Sequence, residues 1–459
     1  MLDIFDLFKK SVEAEKLEEK VFDTRILPKR LNELAKEYDI TYRPDEIVPQ
    51  DMDMVDSIYK AAIDLIVDVG VYNISTNSVV KLEENEIKTQ LKLLTGEKEY
   101  GVGNQKIRVV KRGYGDKKAP TVFGGANGGV ISEEYYAKIM ESVAKEPLVA
   151  GIHCGSIATL HGMEMKARSP IEMLGARAEA VWTREGMRMA GRPGMPMVGI
   201  MSSVTSEGQN FGDGPGGMRP EDMHLLCLLN DMKIDWGALN KAVNTSQNNL
   251  TVDGCMCPVM GGYTGGPATT TIANVAEGLL AYMIFGAASY SMCPPFNPMT
   301  GEGTSAQPTF VAAHVGAALT RNTRGLYSNY VFPSSGMCTE MEIDEIAVFT
   351  GAITASGIDI LFGAASTCGT QIDMYSGMDA RITAEIGRAA AKMSPADMNE
   401  FCIELEKTYR DVVTAGKAPK GKKFQECYDL TNVRPSKEYE ELWKKSKAKL
   451  TDKGLDFEF

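Results

Sequence analysis

From Pro120 onward the chain repeats one pattern: a short apolar run closed by Gly, Ser or Asn, then a stretch with apolar residues at helical spacing. The apolar runs cover residues 120–123, 148–153, 196–201, 234–239, 255–260, 287–292, 326–332 and 358–364. Continuous runs this short, bounded by breakers, are what strands buried on both faces require. The amphipathic stretches predict helices over 132–144, 170–190, 219–230, 269–285, 308–319, 340–355 and 378–391. Eight strands alternating with helices predict a parallel α/β fold, and the count and span match a (β/α)8 TIM barrel. A doubly wound open sheet is the alternative. The fourth unit is weak, because residues 244–249 leave little room for a helix before the fifth strand.

The flanks follow a different pattern. Leu17, Val21, Leu27, Leu31 and Leu34 recur at roughly helical spacing, and residues 61–71 predict a second helix. Residues 73–80 and 105–111 read as short strands. The tail is helical and charged, with Glu438, Glu441, Lys444 and Lys445 on one solvated face. The predicted division is an N-terminal mainly helical extension over 1–115, the barrel over 116–394 and a C-terminal helical extension over 395–459.

Charge narrows the partners. The 459 residues carry 49 basic and 61 acidic side chains, net −12. Such a surface repels phosphate backbones and disfavours nucleic-acid binding. No run reaches about 18 apolar residues, so no membrane span is expected. The first twenty residues mix acid and base and lack a signal-peptide pattern, which predicts a cytoplasmic protein. Nine cysteines are too scattered for a disulfide scaffold. The 26 methionines read mostly as core filler.

Barrel chemistry collects at the C-terminal ends of the strands. Those ends offer Gly124 to Asn127, His153 to Ser156, Ser202, Ser203, Thr205 and Glu207, then Phe296, Tyr330, Phe332, Ser334, Ser335, Ser366 and Thr367. Four histidines are present. His314 sits in an apolar helix and reads as structural, whereas His153 and His161 flank the second predicted strand end and His224 opens the predicted helix after the third strand. Cys255 and Cys257 share one side of a strand. C-x-C alone is not a zinc signature, so the two read as buried small hydrophobes and no metal is expected. No phosphate-binding glycine motif occurs. Phe211 to Met218 reads as a glycine loop lying over the barrel mouth.

Several longer strings carry a resemblance. Met189-Ala-Gly-Arg-Pro-Gly-Met195, Gly261-Gly-Tyr-Thr-Gly-Gly266, Cys338-Thr-Glu-Met341 and Phe424-Gln-Glu-Cys-Tyr-Asp429 resemble the monomethylamine:corrinoid methyltransferases of methanogens, in the same order along the chain. Asn230-Asp-Met-Lys-Ile-Asp235 and Met378-Asp-Ala-Arg381 agree. The resemblance implies a (β/α)8 barrel that moves a methyl group from a small-molecule donor to the Co(I) corrinoid of a separate partner protein. No corrinoid is then bound stably by this chain, which lacks the D-x-H-x-x-G string. A homo-oligomer is expected.

The departures from that family matter. By the spacing from Ala190-Gly-Arg-Pro-Gly-Met195, the position of the family's amine-capturing pyrrolysine is Val198. Two acidic positions become Leu225 and Cys255, and a glutamine position becomes Tyr330. A valine cannot add an amine. The resemblance, so altered, implies O-demethylation of methoxylated aromatic compounds. Methyl transfer from a quaternary amine such as glycine betaine, or from another methylamine, is the alternative, and a catalytically silent subunit is a third reading. Candidate catalytic residues are Tyr330, His153, His224 and Glu207. Val198, Leu225, Cys255, Phe332 and Phe296 are expected to line the donor, and Gly124, Asn127, Phe211, Gly214 and Gly216 to meet the partner.

Overall fold

The structure, a computed structural model, describes residues 1–297 and 301–458. Eight parallel strands close into a barrel: β1 Thr121–Gly125, β2 Gly151–His153, β3 Met197–Gly199, β4 Met223–Cys227, β5 Val252–Met256, β6 Ser289–Met292, β7 Leu326–Tyr330 and β8 Ile360–Phe362. Closure runs through Phe362 paired with Phe123 on β1. The outer ring is α1 Tyr136–Ala144, α2 Pro170–Met189, α3 Ser206–Asp213, α4 Trp236–Gln247, α5 Pro267–Ile284, α6 Ala306–Asn322, α7 Glu340–Ala355 and α8 Gly377–Ala390.

The fourth unit differs from the sequence reading. The segment predicted as a helix, 219–230, contains β4, and the segment predicted as the fourth strand, 234–239, opens α4. Met223, Leu225 and Leu226 are buried on both faces of β4, and a run this short and mostly apolar, interrupted only by His224, carries no period that separates strand from helix. With α4 in place, the shortage of room before β5 disappears. Lys233 and Ile234 pair outside the barrel with Tyr72 and Asn73 of the N-terminal region.

Leu27–Glu37 and Met52–Val69 are the main N-terminal helices, burying Leu31 and Leu34, and Ile58 and Leu65, respectively. The hairpin Glu97–Tyr100 with Ile107–Val110 carries buried Tyr100 against Phe123, ring centroids 6.3 Å apart, and so plugs the barrel floor. In the tail, Lys437–Asp452 buries Tyr439, Trp443 and Leu450, and Glu438, Glu441, Lys444 and Lys445 face out.

Two predicted docking features take other roles. The loop after α3 leads into the N-terminal end of β4, so it lies on the flank away from the mouth. Asp222, at its far end, accepts from the amide of Met197, the first residue of β3 (3.1 Å). Gly214 and Gly216 wrap Arg177, whose guanidinium donates to the Pro215 carbonyl at 2.6 Å and covers the Phe211 ring at 4.3 Å. Gly217 is required there, since a Cβ would stand 1.8 Å from the Gly212 carbonyl. Gly124 faces the helices: its Cβ would meet Ala380 and Val143 at about 2.5 Å. The glycines therefore serve close packing, not a docking surface at the mouth. Asn127 is buried just beyond β1 with its side chain bonded to the Gly363 carbonyl.

Candidate active site

Strand register defines the barrel interior. Paired residues on parallel strands share a face, so His153 faces inward with Val198, Leu225 with Asp253, Cys227 with Cys255, and Tyr330 with Phe362. His153 and Tyr330 meet across the interior, Nε2 to Oη 3.1 Å, with ring centroids 5.1 Å apart. His153 Nδ1 lies 3.0 Å from the Cys154 carbonyl. A carbonyl only accepts, so Nδ1 carries the ring proton and Nε2 accepts from the Tyr330 hydroxyl. Burial pushes His153 down to about 4, so the ring is neutral, and holds the Tyr330 phenol well above its usual range.

Aromatic rings form a column at this level. Tyr330 stacks on Phe362 at 4.7 Å and on Phe332 at 5.7 Å, and Phe332 meets Phe296 at 5.8 Å. Cys255 Sγ lies 3.9 Å from the Tyr330 hydroxyl. Val198 and Leu225 are buried on the same inner surface. The sequence-predicted lining thus comes together with Tyr330 and His153.

His224 and Glu207 do not. His224 alternates out of phase with the inward Met223 and Leu225 and points toward the outer helices. There its Nδ1 meets Asp213 at 3.0 Å and its Nε2 meets the Arg219 carbonyl at 3.0 Å. Burial would lower this imidazole, but the Asp213 carboxylate outweighs it and the pKa is raised. His224 is therefore a structural residue, held between Asp213 and the Arg219 carbonyl. Glu207 is exposed in the first turn of α3. His161 is exposed as well, and His314 is buried against the Phe310 carbonyl at 2.8 Å.

Several polar residues at strand ends are engaged by buried glutamates of the outer helices. Glu172 on α2 accepts from the amides of Arg168, Val204 and Thr205 and from the hydroxyls of Ser203 and Thr205. Glu179, two turns further on, accepts from the amides of Met201 and Ser202. On α7, Glu345 accepts from both backbone and hydroxyl of Ser335, the Ser334 amide and Thr304, and Glu342 accepts from Ser366. These carboxylates hold the βα loops around the mouth. Sequence reasoning missed them, although Glu342 and Glu345 lie in the first turns of a helix that is otherwise apolar from Ile346 to Phe349.

A second missed group is Asp253. It sits inside the barrel below Cys255, with Ser289 and Ser291 donating to its two oxygens, and burial pushes it up to about 7. The alternation Asp253, Cys255, Cys257 on one strand face was the available signal. A separate cleft of about 480 Å³ lies beside the mouth, lined by Ser334, Thr367, Cys368 and Lys420.

A closed parallel barrel with a buried polar pair inside its C-terminal mouth is the architecture of a barrel enzyme. The chain belongs to the monomethylamine methyltransferase MtmB family, whose profile matches residues 2–455. It is 32% identical over 455 residues to monomethylamine methyltransferase MtmB1 of Methanosarcina barkeri, covering 99% of this chain and 98% of that one, and matches MtmB of Methanosarcina mazei to the same extent. The crystal structure of the Methanosarcina barkeri enzyme superposes with a TM-score of 0.96 at 32% identity, over 99% of this chain and 98% of that chain, as does the crystal structure of a hydroxylamine MtmB complex. The protein is by class a methyltransferase. No helix among the described residues is long and apolar enough to cross a membrane.

Proposed function

We propose that the protein transfers a methyl group from a small donor to the Co(I) corrinoid of a separate partner protein, and that the donor is an N-methylated amine. The observation that carries this is the full-length kinship with monomethylamine methyltransferases. Within that class, a quaternary amine fits the interior better than a primary one. Val198 is saturated hydrocarbon and cannot capture an amine covalently, whereas a quaternary nitrogen is already a good leaving group. The faces of Tyr330, Phe332 and Phe296 are suited to such a cation, because ring quadrupoles attract it.

The protein's own contribution is positional. The ring column holds the donor with its methyl carbon toward the mouth, where the corrinoid supplies the Co(I) nucleophile. The glutamate-held loops keep that geometry fixed, which is where most of the gain from orientation arises.

A methoxylated aromatic donor is the second reading, and one observation favours it. Tyr330 lies within 5° of coplanar with Phe332, so the rings form a parallel column that a planar substrate extends. The Tyr330 hydroxyl would then stabilise the departing phenolate oxygen.

The test offers the reduced protein–cobalamin(I) mixture glycine betaine, tetramethylammonium, monomethylamine and a methoxylated benzoate, and follows loss of the Co(I) absorbance. Turnover of the quaternary amines is expected. Exclusive turnover of the methoxybenzoate replaces the first reading by the second. Monomethylamine as the best donor refutes the argument from Val198.

A further inference from the structure

Three cysteine sulfurs converge where β5 and β6 open into the mouth. The Sγ atoms of Cys255, Cys257 and Cys293 all lie within 4.8 Å of one another, and those of Cys257 and Cys293 are 2.8 Å apart. The C-x-C spacing puts Cys255 and Cys257 on the inward face at the end of β5. Cys293 directly follows β6, and its amide donates to the Met256 carbonyl at 2.9 Å, which ties the two strand ends together. Cys255 and Cys293 are buried, and Cys257 is exposed. The cluster therefore has a closed inner side and one open side.

Burial as small hydrophobes does not account for this arrangement. Small apolar residues have no reason to aim three polarizable atoms from two strands at a single point, nor to leave one of them exposed.

We infer that Cys255, Cys257 and Cys293 form a binding site for Zn²⁺, with the fourth coordination position open to the barrel mouth. Thiolate ligands select zinc over hard cations such as Mg²⁺ and Ca²⁺. Three protein ligands with one open position is the arrangement of a zinc site that meets substrate. Each thiol gives up its proton to solvent as it binds, and three thiolates leave the centre with one net negative charge.

The inference rests on the sulfur geometry and not on either donor reading, but it bears on both. The open position accepts a lone pair. An ether oxygen has one and a quaternary nitrogen does not, so an occupied site shifts the weight toward the second donor reading.

The experiment uses the full chain, purified without a polyhistidine tag under reducing, anaerobic conditions. The protein is stripped with chelator, then titrated with Zn²⁺ and, separately, with Co²⁺ as a spectroscopic probe. Elemental analysis is expected to show stoichiometric zinc. The cobalt form is expected to show a thiolate-to-metal charge-transfer band. Cys257→Ser and Cys293→Ser should each weaken metal binding tenfold or more and diminish that band. Cys402→Ser, a buried thiol bonded to the Val348 carbonyl far from the cluster, serves as control and should leave both unchanged. Only trace zinc in the wild-type protein, or a band indifferent to Cys257 and Cys293, overturns the inference. So does a Cys257–Cys293 disulfide found by mass spectrometry in the freshly reduced protein. None of these readouts requires turnover, so failure here is distinct from failure of the donor assay.

Discussion

Glu172→Gln tests whether the buried glutamates hold the mouth. The carboxylate divides its contacts unevenly. Oε1 accepts from Ser203 Oγ, Val204 N and Thr205 N at 2.9–3.0 Å, and Oε2 accepts from Arg168 N at 2.6 Å and Thr205 Oγ1 at 2.9 Å. Glutamine keeps the first three but loses the charge that strengthens them. Its amide nitrogen then faces two donors. The Thr205 hydroxyl can rotate and accept, but the Arg168 N–H cannot. Losing charge assistance costs roughly 1 kcal/mol at each surviving contact, and an orphaned N–H costs about 1–3 kcal/mol. Allowing for relaxation of a loop at the rim, the expected loss is about 3–5 kcal/mol. Glu185→Gln, on the same helix but paired only with exposed Arg188, should stay within about 0.5 kcal/mol of wild type.

The assay is urea unfolding at fixed slope, repeated across the acid range. Burial raises the Glu172 carboxyl, but the donors from Arg168, Ser203, Thr205 and Val204 outweigh it and hold the pKa below the usual range. Its contribution is therefore complete above the unfolded value, about 4.3, and is lost as pH falls through the lower folded value. Wild type should approach the variant as the medium is acidified past that point. An equal loss at every pH, or a loss no larger than that of Glu185→Gln, refutes the reasoning.

Other substitutions address the chemistry and the flank. Tyr330→Phe removes the hydroxyl that donates to His153. With an ether donor the methyl-transfer rate should fall roughly 10²-fold, the scale of losing one such group, whereas with a quaternary amine kcat should change little. Asp213→Asn should destabilise the protein by about 1–3 kcal/mol at pH 6, since it removes the carboxylate that favours the charged form of the buried His224 ring. The His224 pKa is raised, so the pair's contribution is full below about 6.5 and fades as pH rises through the folded value; the variant's deficit should shrink correspondingly in unfolding measured on the alkaline side. Gly214→Ala should leave methyl transfer to the corrinoid partner at the wild-type rate, because that loop enters the N-terminal end of β4, away from the mouth; a selective loss of transfer would restore the loop as a docking surface.

The barrel itself was legible because it depends on local pattern. A buried parallel strand must be apolar on both faces, and the helix after it must be amphipathic, so six of the eight units declared themselves by composition and spacing, and the third showed its strand but not its helix, Ser206–Asp213. The fourth did not, since Met223–Cys227 is mostly apolar and too short to show a period, and only pairing with β3 and β5 makes it a strand. That one element moved His224 from a predicted helix start to the outer face of a strand, and with it from the mouth to a salt bridge with Asp213. The inward set of Val198, Leu225, Cys255 and Tyr330 was recoverable through resemblance and alternation. Its chemistry was not. Which ring nitrogen of His153 carries the proton depends on the Cys154 carbonyl, and Tyr330 lies 177 residues away in sequence. The same holds for sulfur: C-x-C carries little meaning along the chain, and Cys293 joins it only because β6 is the neighbour of β5. Helix glutamates carry no sign of burial along the chain, because charge is ordinarily solvated, and only the closed fold shows the loop amides turned toward Glu172 and Glu345. A linear sequence determines which segments can be buried; strand adjacency and register, set by closure of the whole barrel, decide which side chains meet.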